Sequence, residues 1–267
     1  MDYSRTIDMI KRNPIIIKTI NDPSEEMKII AVEGDGMTLR YIENPTEKMK
    51  EKALRSNVNA MEFIENPSLE MKRYAVGQSW NTLKFINNPS EELVKLGIMQ
   101  KGWAIQYAIN PSCELQLLAI EKNYESIKYI YEPYEEVQEA AVGISYDALR
   151  YIKNPSVRIE MIAVKENEAA IKFVSNLDKN KILSFLKENI LVIKYFIEEI
   201  SMDDLEDVLK EVLSKDEVEE DYVRNFIRCE SVSKRHRNIS MDKAIFIYKY
   251  GSSKAKRIAI DEKLKMM

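Results

Sequence analysis

Polar and apolar residues recur along this chain with a period of 22 residues. A proline that follows Asn, Asp or Glu marks each period, at Pro23, Pro45, Pro67, Pro89, Pro111, Pro133 and Pro155. Tandem repeats of this length are typical of solenoids, in which each unit buries its apolar face against its neighbours instead of in one central core. The spacing therefore predicts a repeat architecture.

The first half of each unit predicts an α-helix. With proline as position 1, position 5 is apolar, position 9 is small and position 10 is aliphatic, as in Met49, Ala53 and Leu54. This spacing places the three side chains on one helix face. Proline suits a first helical turn, and Asn44 with Glu47 has the arrangement of a capping box. The helix is expected to begin at the proline, and each cap contributes about 1 kcal/mol.

The second half predicts a shorter helix after a break near positions 12 to 14. In the same unit Ala60 is small at position 16, while Met61 and Ile64 are apolar at positions 17 and 20. Position 19 is aromatic and is expected in the core by the same periodicity. The residues at position 19 are Tyr41, Phe63, Phe85, Tyr107, Tyr129, Tyr151 and Phe173.

The repeats are expected over residues 1–198, as about nine units. Residues 199–267 form a degenerate helical region in which the register returns at 244–260, with Gly251 in the place of proline. The predicted fold class is all-α, a right-handed α-solenoid of short helix pairs with a helical C-terminal cap.

The motif P-S-x-E-x-x-x-x-A-V, found at 67–76, and the following pattern I-K-Y-I-x-N resemble the short all-helical tandem repeats of bacterial, phage and giant-virus proteins. They are also similar to the leucine-rich repeat variant, whose units turn over at Asn-Pro, and to HEAT-like α-solenoids. The resemblance implies protein binding on a curved scaffold without shared catalytic residues. It also favours the interpretation of a phage or mobile-element protein that inhibits a host defence protein.

The composition is that of a folded chain without signals for secretion or membrane insertion. Hydrophobic residues make up 45% and charged residues 31% of the chain, and glycine occurs only 7 times. The first residues lack the apolar segment of a signal peptide, and no run of about 18 apolar residues occurs. Cys113 and Cys229 lie far apart in sequence, which argues against a disulfide framework and predicts a cytoplasmic location.

The sequence lacks the common motifs of catalysis and cofactor binding. It contains no G-x-x-x-x-G-K, H-E-x-x-H, C-x-x-C or G-x-S-x-G. His236 is the only histidine, and its pairing with Cys229 as base and nucleophile is opposed by a charged loop without an evident oxyanion site. We expect no enzyme activity, no cofactor and no metal.

Large aromatic residues recur at the turn between the two predicted helices. Trp80, Tyr124 and Tyr146 occupy position 14, and Trp103 occupies position 15 of the unit between them. Equal positions of successive repeats form a row, and exposed Trp and Tyr are typical of protein interfaces. Two interpretations stay open: a binding ridge, with Tyr134 as a neighbour, or a seal in which the rings fold over adjacent turns.

Charge is segregated near the C-terminus of a chain whose net charge is −4. Residues 199–221 hold eleven acidic residues and two lysines, whereas 224–267 hold twelve basic and four acidic residues. The candidate basic contacts are Arg224, Arg228, Lys234, Arg235, Arg237, Lys254, Lys256 and Arg257. They fit contacts to nucleic-acid phosphates or to an acidic protein, and equally a solvated face or neutralisation by the adjoining acidic block.

The function that these features favour is a non-enzymatic repeat scaffold whose partner is another protein. The alternative is a HEAT-like solenoid that binds nucleic acid through the basic C-terminal segment. No membrane partner is expected, and the sequence leaves the oligomeric state open.

Overall fold

The computed structural model describes residues 3–234 and 239–266. These residues form helices joined by short turns, and within them the only β-type pairing is an isolated parallel bridge between Ser233 and Ser240. The chain divides into a first unit, Met1–Pro133, and a second unit, Tyr134–Met267. The predicted all-helical class is confirmed over the described residues.

The first unit alternates α-helices with short 3₁₀ helices. In chain order its elements are α1 (Tyr3–Arg12), η1 (Pro14–Thr19), α2 (Glu25–Gly34), η2 (Gly36–Tyr41), α3 (Glu47–Ser56), η3 (Val58–Phe63), α4 (Leu69–Gln78), η4 (Trp80–Phe85), α5 (Glu91–Gln100), η5 (Gly102–Tyr107), α6 (Cys113–Lys122) and η6 (Tyr124–Tyr129). Each α-helix packs on the α-helix of the next repeat, and each 3₁₀ helix packs on the next 3₁₀ helix. The first unit is therefore a stack of two layers built in sequence order.

The second unit continues the alternation and then adds longer helices. In chain order its elements are α7 (Glu135–Ile144), η7 (Tyr146–Tyr151), α8 (Val157–Glu166), η8 (Glu168–Phe173), α9 (Lys179–Glu188), η9 (Ile190–Val192), α10 (Ile193–Phe196), α11 (Met202–Leu213), α12 (Glu220–Arg228), α13 (Lys243–Tyr250) and α14 (Ser253–Met266). Helix α11 packs on α9, and α12 packs on η9. The pair α13–α14 packs in turn on α11 and α12.

The last helix pair lies where the predicted register returns. The register at 244–260 assigns α13 to the second element of a repeat. Helix α13 is an α-helix that contacts α11 and α12, and α14 contacts α12 as well as α13. The last pair therefore packs on the two helices that precede it.

The core lies between the two layers at the positions that the periodicity predicts. In one complete repeat Met49, Ala53, Leu54, Ala60 and Met61 are each at most 2% exposed. Small residues at positions 9 and 16 are buried throughout the series and allow neighbouring helices to approach closely. Burial of this apolar face is what stabilises helices of only ten and six residues.

The second element of each repeat is a 3₁₀ helix, and this changes how deeply the side chain at position 19 is buried. A 3₁₀ helix has three residues per turn, so positions 17 and 20 share a face and position 19 lies elsewhere. Leu39 and Ile42 are buried accordingly, whereas Tyr41 is 37% exposed. The other position-19 aromatics except Tyr129 are partly buried, and Phe63 and Phe85 pack against the core. These rings therefore lie at the border of the core and not inside it.

Each α-helix begins two residues after the proline, and not at the proline itself. The hydroxyl of Ser68, which follows Pro67, accepts a hydrogen bond of 3.2 Å from the backbone N–H of Met71. Asn66, before the proline, is in the left-handed region with a φ of 50°, which Asn tolerates better than most residues. The predicted capping box at Asn44 and Glu47 was therefore wrong, because the cap is the residue after the proline.

Candidate functional site

The four predicted turn aromatics lie at the start of 3₁₀ helices and are half-buried. Trp80, Tyr124 and Tyr146 are the first residues of η4, η6 and η7, and Trp103 is the second residue of η5. The residue before each of these 3₁₀ helices is extended, as Ser79 is with φ −154° and ψ 116°. This extended residue ends the α-helix and passes the chain to the second layer, so each ring stands at the edge between layers.

Three of the four rings pack against the position-19 ring of the following repeat. Within the first unit the ring centroids of Trp80 and Tyr107 are 6.4 Å apart, and those of Trp103 and Tyr129 are 6.0 Å apart. Aromatic pairs at such distances attract each other beyond the area that they bury. The turn aromatics and the position-19 aromatics consequently form one surface, and the packing matches the seal that the sequence left open. The second unit has the same relationship between Tyr146 and Phe173, at 6.5 Å.

Basic side chains cover these rings. The ammonium groups of Lys101 and Lys128 lie 4.6 and 4.5 Å from the ring centroid of Trp103, which stands between them. The guanidinium of Arg40 lies 5.1 Å from the ring of Tyr41 and 5.7 Å from that of Phe63 in the next repeat. Such cation–π contacts contribute about 0.5–1 kcal/mol each at exposed sites.

We call this surface of the first unit the aromatic–cation row. Its members are Arg40, Tyr41, Phe63, Trp80, Lys84, Phe85, Lys101, Trp103, Tyr107, Lys128 and Tyr129. The second unit has its own members of the same type, in which Arg150 lies 4.9 Å from the ring of Phe173 and Lys172 lies 5.5 Å from that of Tyr195. Partial burial and the neighbouring Tyr129 raise the pKa of the Tyr107 phenol, so this side chain is neutral at physiological pH.

Sequence reasoning missed the row although both of its components were visible. Position 18 is often basic and position 19 is aromatic, as in Lys84-Phe85 and Lys128-Tyr129. The sequence analysis placed position 19 in the core and did not combine it with the basic residues at position 18. Because the rings lie at the border of the core, the adjacent cations reach them from the solvent side.

Some charges of the α-helical layer pair between repeats. Glu92 and Glu114 at position 4 accept hydrogen bonds from Arg73 and Lys95 of the preceding repeat, at 2.7 and 3.3 Å. Ion pairs of this kind at the surface contribute little to stability but occupy the charges of both partners. In the aromatic–cation row Lys128 is likewise paired, with Glu125 at 3.4 Å.

Tyr134, the predicted neighbour of the turn aromatics, lies at a different place in the repeat. It is the N-cap residue of α7, where most other repeats have a Ser or Thr that accepts a backbone hydrogen bond, and it makes no such cap bond. Its side chain is exposed. The structure thus gives Tyr134 a helix-start position, not a turn position.

Two of the predicted basic contacts are held by a buried carboxylate. Glu262 of α14 has no solvent-exposed surface and receives Arg224 and Arg228 of α12. Arg224 also pairs with Glu220 and with Asp261, the latter at 2.9 Å. Hydrogen bonds from Arg228, and to a smaller extent from Arg224, hold the pKa of the Glu262 carboxyl below its usual value. This cluster joins α12 to α14, so these two arginines have a structural role.

The remaining basic residues differ in their surroundings. Lys234 pairs with Asp242 at 2.6 Å, and Lys254 lies 3.7 Å from Glu217 of the acidic block. Four other predicted contacts remain: Lys256 lies over the ring of Tyr248, Arg257 is exposed, and Arg235 and Arg237 fall outside the described residues. The acidic block divides its ion pairs between repeat lysines, as in Asp204 with Lys179, and the basic segment, as in Glu220 with Arg224.

The proposed Cys229–His236 pair gains no support from the cysteine. Cys229 is 5% exposed, and burial raises the pKa of its thiol, which lowers the fraction of reactive thiolate. His236 lies outside the described residues. Within residues 3–234 and 239–266, no group of three or more His, Cys, Asp or Glu side chains has the geometry to hold a metal ion, and no helix there is long and apolar enough to cross a membrane.

Comparison of the chain with protein-family models, with curated proteins and with solved structures finds no match. The functional argument therefore depends on the geometry of the chain itself.

Proposed function

We propose that this chain is a non-catalytic, right-handed α-solenoid of 22-residue helix pairs that binds another protein. The observation that carries the proposal is the aromatic–cation row, in which rings of successive repeats pack against each other in tilted and T-shaped arrangements and have cations over them. Tyr, Trp and Arg are enriched in the energetically dominant parts of protein interfaces.

The row favours a partner with acidic side chains. Arg40, Lys84 and Lys128 are exposed cations that already lie against rings. Because these side chains are held by their neighbours, a partner orders fewer rotamers on binding, which reduces the entropic cost of association. Complementary charge would also accelerate the encounter of the two proteins.

Nucleic-acid binding through the basic C-terminal segment is the second candidate, and it has less support. Arg224 and Arg228 face Glu262, and Lys234 faces Asp242, so three of the expected phosphate contacts are engaged within the chain. Such a mode predicts affinity that falls steeply with salt, because each phosphate contact releases counterions.

An affinity purification from a nuclease-treated bacterial lysate tests the proposal, since the resemblance to phage and bacterial repeats makes bacterial proteins the first candidates. The row variant combines Arg40→Glu, Lys84→Glu and Lys128→Glu. The matched control combines Lys48→Glu, Arg55→Glu and Lys122→Glu, which reverse the same number of exposed charges on the α-helical layer.

We expect a stoichiometric protein that is retained by the intact chain and by the control and lost from the row variant. Recovery of nucleic acid alone, abolished by nuclease or by raised salt, would contradict the proposal and favour the second candidate. Inhibition of a host protein by a phage-encoded chain is the more specific form of the proposal. It is tested by assaying the retained protein with and without the chain.

A further inference from the structure

The helix pair that ends the stack is covered on one side only. Helices α13 and α14 pack on α11 and α12 through Phe246, Ile247, Ala255, Ile258 and Ala259, which are all buried. The opposite sides of the same two helices are not buried, although they carry large apolar residues. Ile245 and Tyr248 of α13 are 63% and 79% exposed, and Ile260 and Leu264 of α14 are 63% and 68% exposed.

Aliphatic residues of inner helices have a different environment. Ile159 and Val164 of α8, a helix with neighbours α7 and α9 on both sides, have no exposed surface. Single apolar residues are exposed on inner helices too, as Val157 of α8 is at 50%, but Ile260 stands at position 10 of the predicted register, where Leu54 and Val164 are at most 1% exposed. No layer of the described residues covers Ile260 and Leu264. Apolar surface left at a repeat end is commonly covered by a cap or a partner.

The exposed sides of α13 and α14 form one continuous surface. The ammonium group of Lys256 in α14 lies 5.8 Å from the ring centroid of Tyr248 in α13. Lys256, Ile260 and Leu264 are spaced by four residues, so they follow one another along one face of α14. We call this surface the end face.

Basic residues surround the apolar stripe of the end face. Helix periodicity places Arg257 and Lys263 on either side of Ile260 and Leu264. Lys249 follows Ile245 by one turn of α13, but its ammonium group lies 4.9 Å from the ring of Tyr250. The two carboxylates in the middle of α14 point elsewhere, since Glu262 is buried against arginines and Asp261 pairs with Arg224 and Lys265. The end face is therefore apolar along its centre and cationic along its borders.

We propose that the end face docks an acidic amphipathic α-helix of a protein partner, with apolar side chains on the stripe and carboxylates on its basic borders. The inference rests on the proposed scaffold function and gives it a second surface and a class of ligand. A helix fits because the end face has the shape of a helix layer from which the next layer is missing.

The charges argue against the other occupants. A second copy of the chain docked face to face would bring Lys256, Arg257 and Lys263 opposite the same cations, which is repulsive. Nucleic acid would use the cations but leave Ile260 and Leu264 without apolar partners. An anionic membrane surface is the strongest competitor, because basic amphipathic helices also bind to such surfaces.

The test uses a fluorescein-labelled synthetic peptide of about 20 residues, with Leu at helical spacing and Glu on both flanks. Its binding to the full chain is measured by fluorescence anisotropy at low salt. A peptide with Lys in place of each Glu is the control ligand. The apolar variant combines Ile260→Ser with Leu264→Ser, and the charge variant combines Arg257→Glu with Lys263→Glu. The control variant combines Lys48→Glu with Arg55→Glu, and circular dichroism verifies that all variants are folded.

We expect the acidic peptide to bind the intact chain and the control variant, and both end-face variants to weaken binding by about tenfold or more. Equal binding to the intact chain and to both end-face variants would overturn the inference, as would equal binding of the Lys peptide. Cosedimentation with phosphatidylserine vesicles that both variants abolish, without binding of the acidic peptide, would assign the end face to a lipid surface instead.

The affinity purification separates this inference from the scaffold function. If the acidic peptide fails to bind while the intact chain still retains a protein that the row variant loses, the end-face inference is wrong and the scaffold function stands. If the intact chain retains no protein from any lysate, the scaffold function itself is contradicted.

Discussion

Gly102 lies directly against Ala119 of the next repeat: a β-carbon on Gly102 would stand 2.5 Å from the carbonyl oxygen of Ala119. It would be equally close to the hydroxyl oxygen of Ser126. Gly36 has the same relationship to Ala53 three repeats earlier in the first unit. At these two glycines the turn between the layers thus lies directly against the backbone at position 9 of the neighbouring helix.

Replacing Gly102 with Ala should lower the free energy of unfolding by about 1–3 kcal/mol, because the new methyl group must displace backbone. Urea denaturation followed by circular dichroism measures the change. Gly77→Ala is the matched control, since a β-carbon there meets nothing within 4 Å. In the interior of α4 that change should raise stability by about 0.5–1 kcal/mol. Equal stabilities of the two variants would contradict the close approach.

The left-handed residue before each proline gives a second pair of variants. Asn88 has a φ of 49°, which costs Ala about 1–2 kcal/mol and costs Gly almost nothing. Asn88→Ala should therefore destabilise the chain by about 1 kcal/mol, whereas Asn88→Gly should be close to neutral. Thermal denaturation distinguishes them. An Asn88→Ala variant as stable as Asn88→Gly would show that this residue is not held in the left-handed region.

How far the sequence predicts this fold is clearest within one repeat. The period and the buried positions Met49, Ala53, Leu54 and Met61 follow from periodicity, because burial of an apolar face determines both. The position of Phe63 at the border of the core does not follow, because periodicity over only six residues does not distinguish a 3₁₀ helix from an α-helix. The cap on Ser68 was predictable from the Ser or Thr that follows most of the prolines. The prediction instead assigned the cap to the Asn before the proline.

The candidate surfaces were less predictable, because they depend on contacts between residues far apart in sequence. That Glu262 holds Arg224 and Arg228 is invisible in the charge pattern, which places a block of acidic residues much closer to these arginines. Likewise Trp80 and Tyr107 meet only because consecutive repeats stack. Sequence reasoning thus identified aromatic and basic candidates without deciding which of them remain accessible.

The packing of Trp103 predicts that this residue stabilises the stack. Trp103→Ala removes the contact with Tyr129 and the two lysine contacts, and should lower the free energy of unfolding by about 1–2 kcal/mol. Trp103→Phe keeps a ring and removes the indole N–H, which is buried and donates to no acceptor among the described residues. It should therefore cost less than Trp103→Ala. If Trp103→Ala leaves the urea midpoint unchanged, the ring is free to serve as a binding ridge.

The two cysteines should differ in reactivity. Cys229 is buried with a raised thiol pKa, whereas Cys113 is half-buried in α6. A thiol reagent at neutral pH should modify Cys113 first and Cys229 only slowly, because thiolate and access are both limiting at Cys229. Mass spectrometry of digested samples over time measures the two rates, with Cys113→Ser and Cys229→Ser as references. Faster modification of Cys229 than of Cys113 would support the interpretation of Cys229 as a nucleophile.

The cluster around Glu262 should make stability depend on pH in a defined direction. Arg228 and Arg224 lower the pKa of Glu262 in the folded chain, so folding favours the ionised carboxylate. A carboxyl whose folded pKa is depressed contributes stability that is fully present above its unfolded pKa of about 4.3 and is lost as the pH falls through the folded value. The intact chain should therefore exceed Glu262→Gln in stability most clearly near neutral pH, and the difference should shrink as the pH falls below about 4.

Urea denaturation of both proteins between neutral and acidic pH measures this difference. Glu198→Gln, which removes an exposed carboxylate outside the cluster, reports the general effect of losing one negative charge. Arg228→Gln should reproduce part of the loss, and adding Glu262→Gln to it should cost less than in the intact chain, because the two groups act on each other. A difference between the intact chain and Glu262→Gln that stays constant with pH would mean that the carboxylate is not stabilised by the arginines. Those arginines would then again be candidates for contacts with a partner.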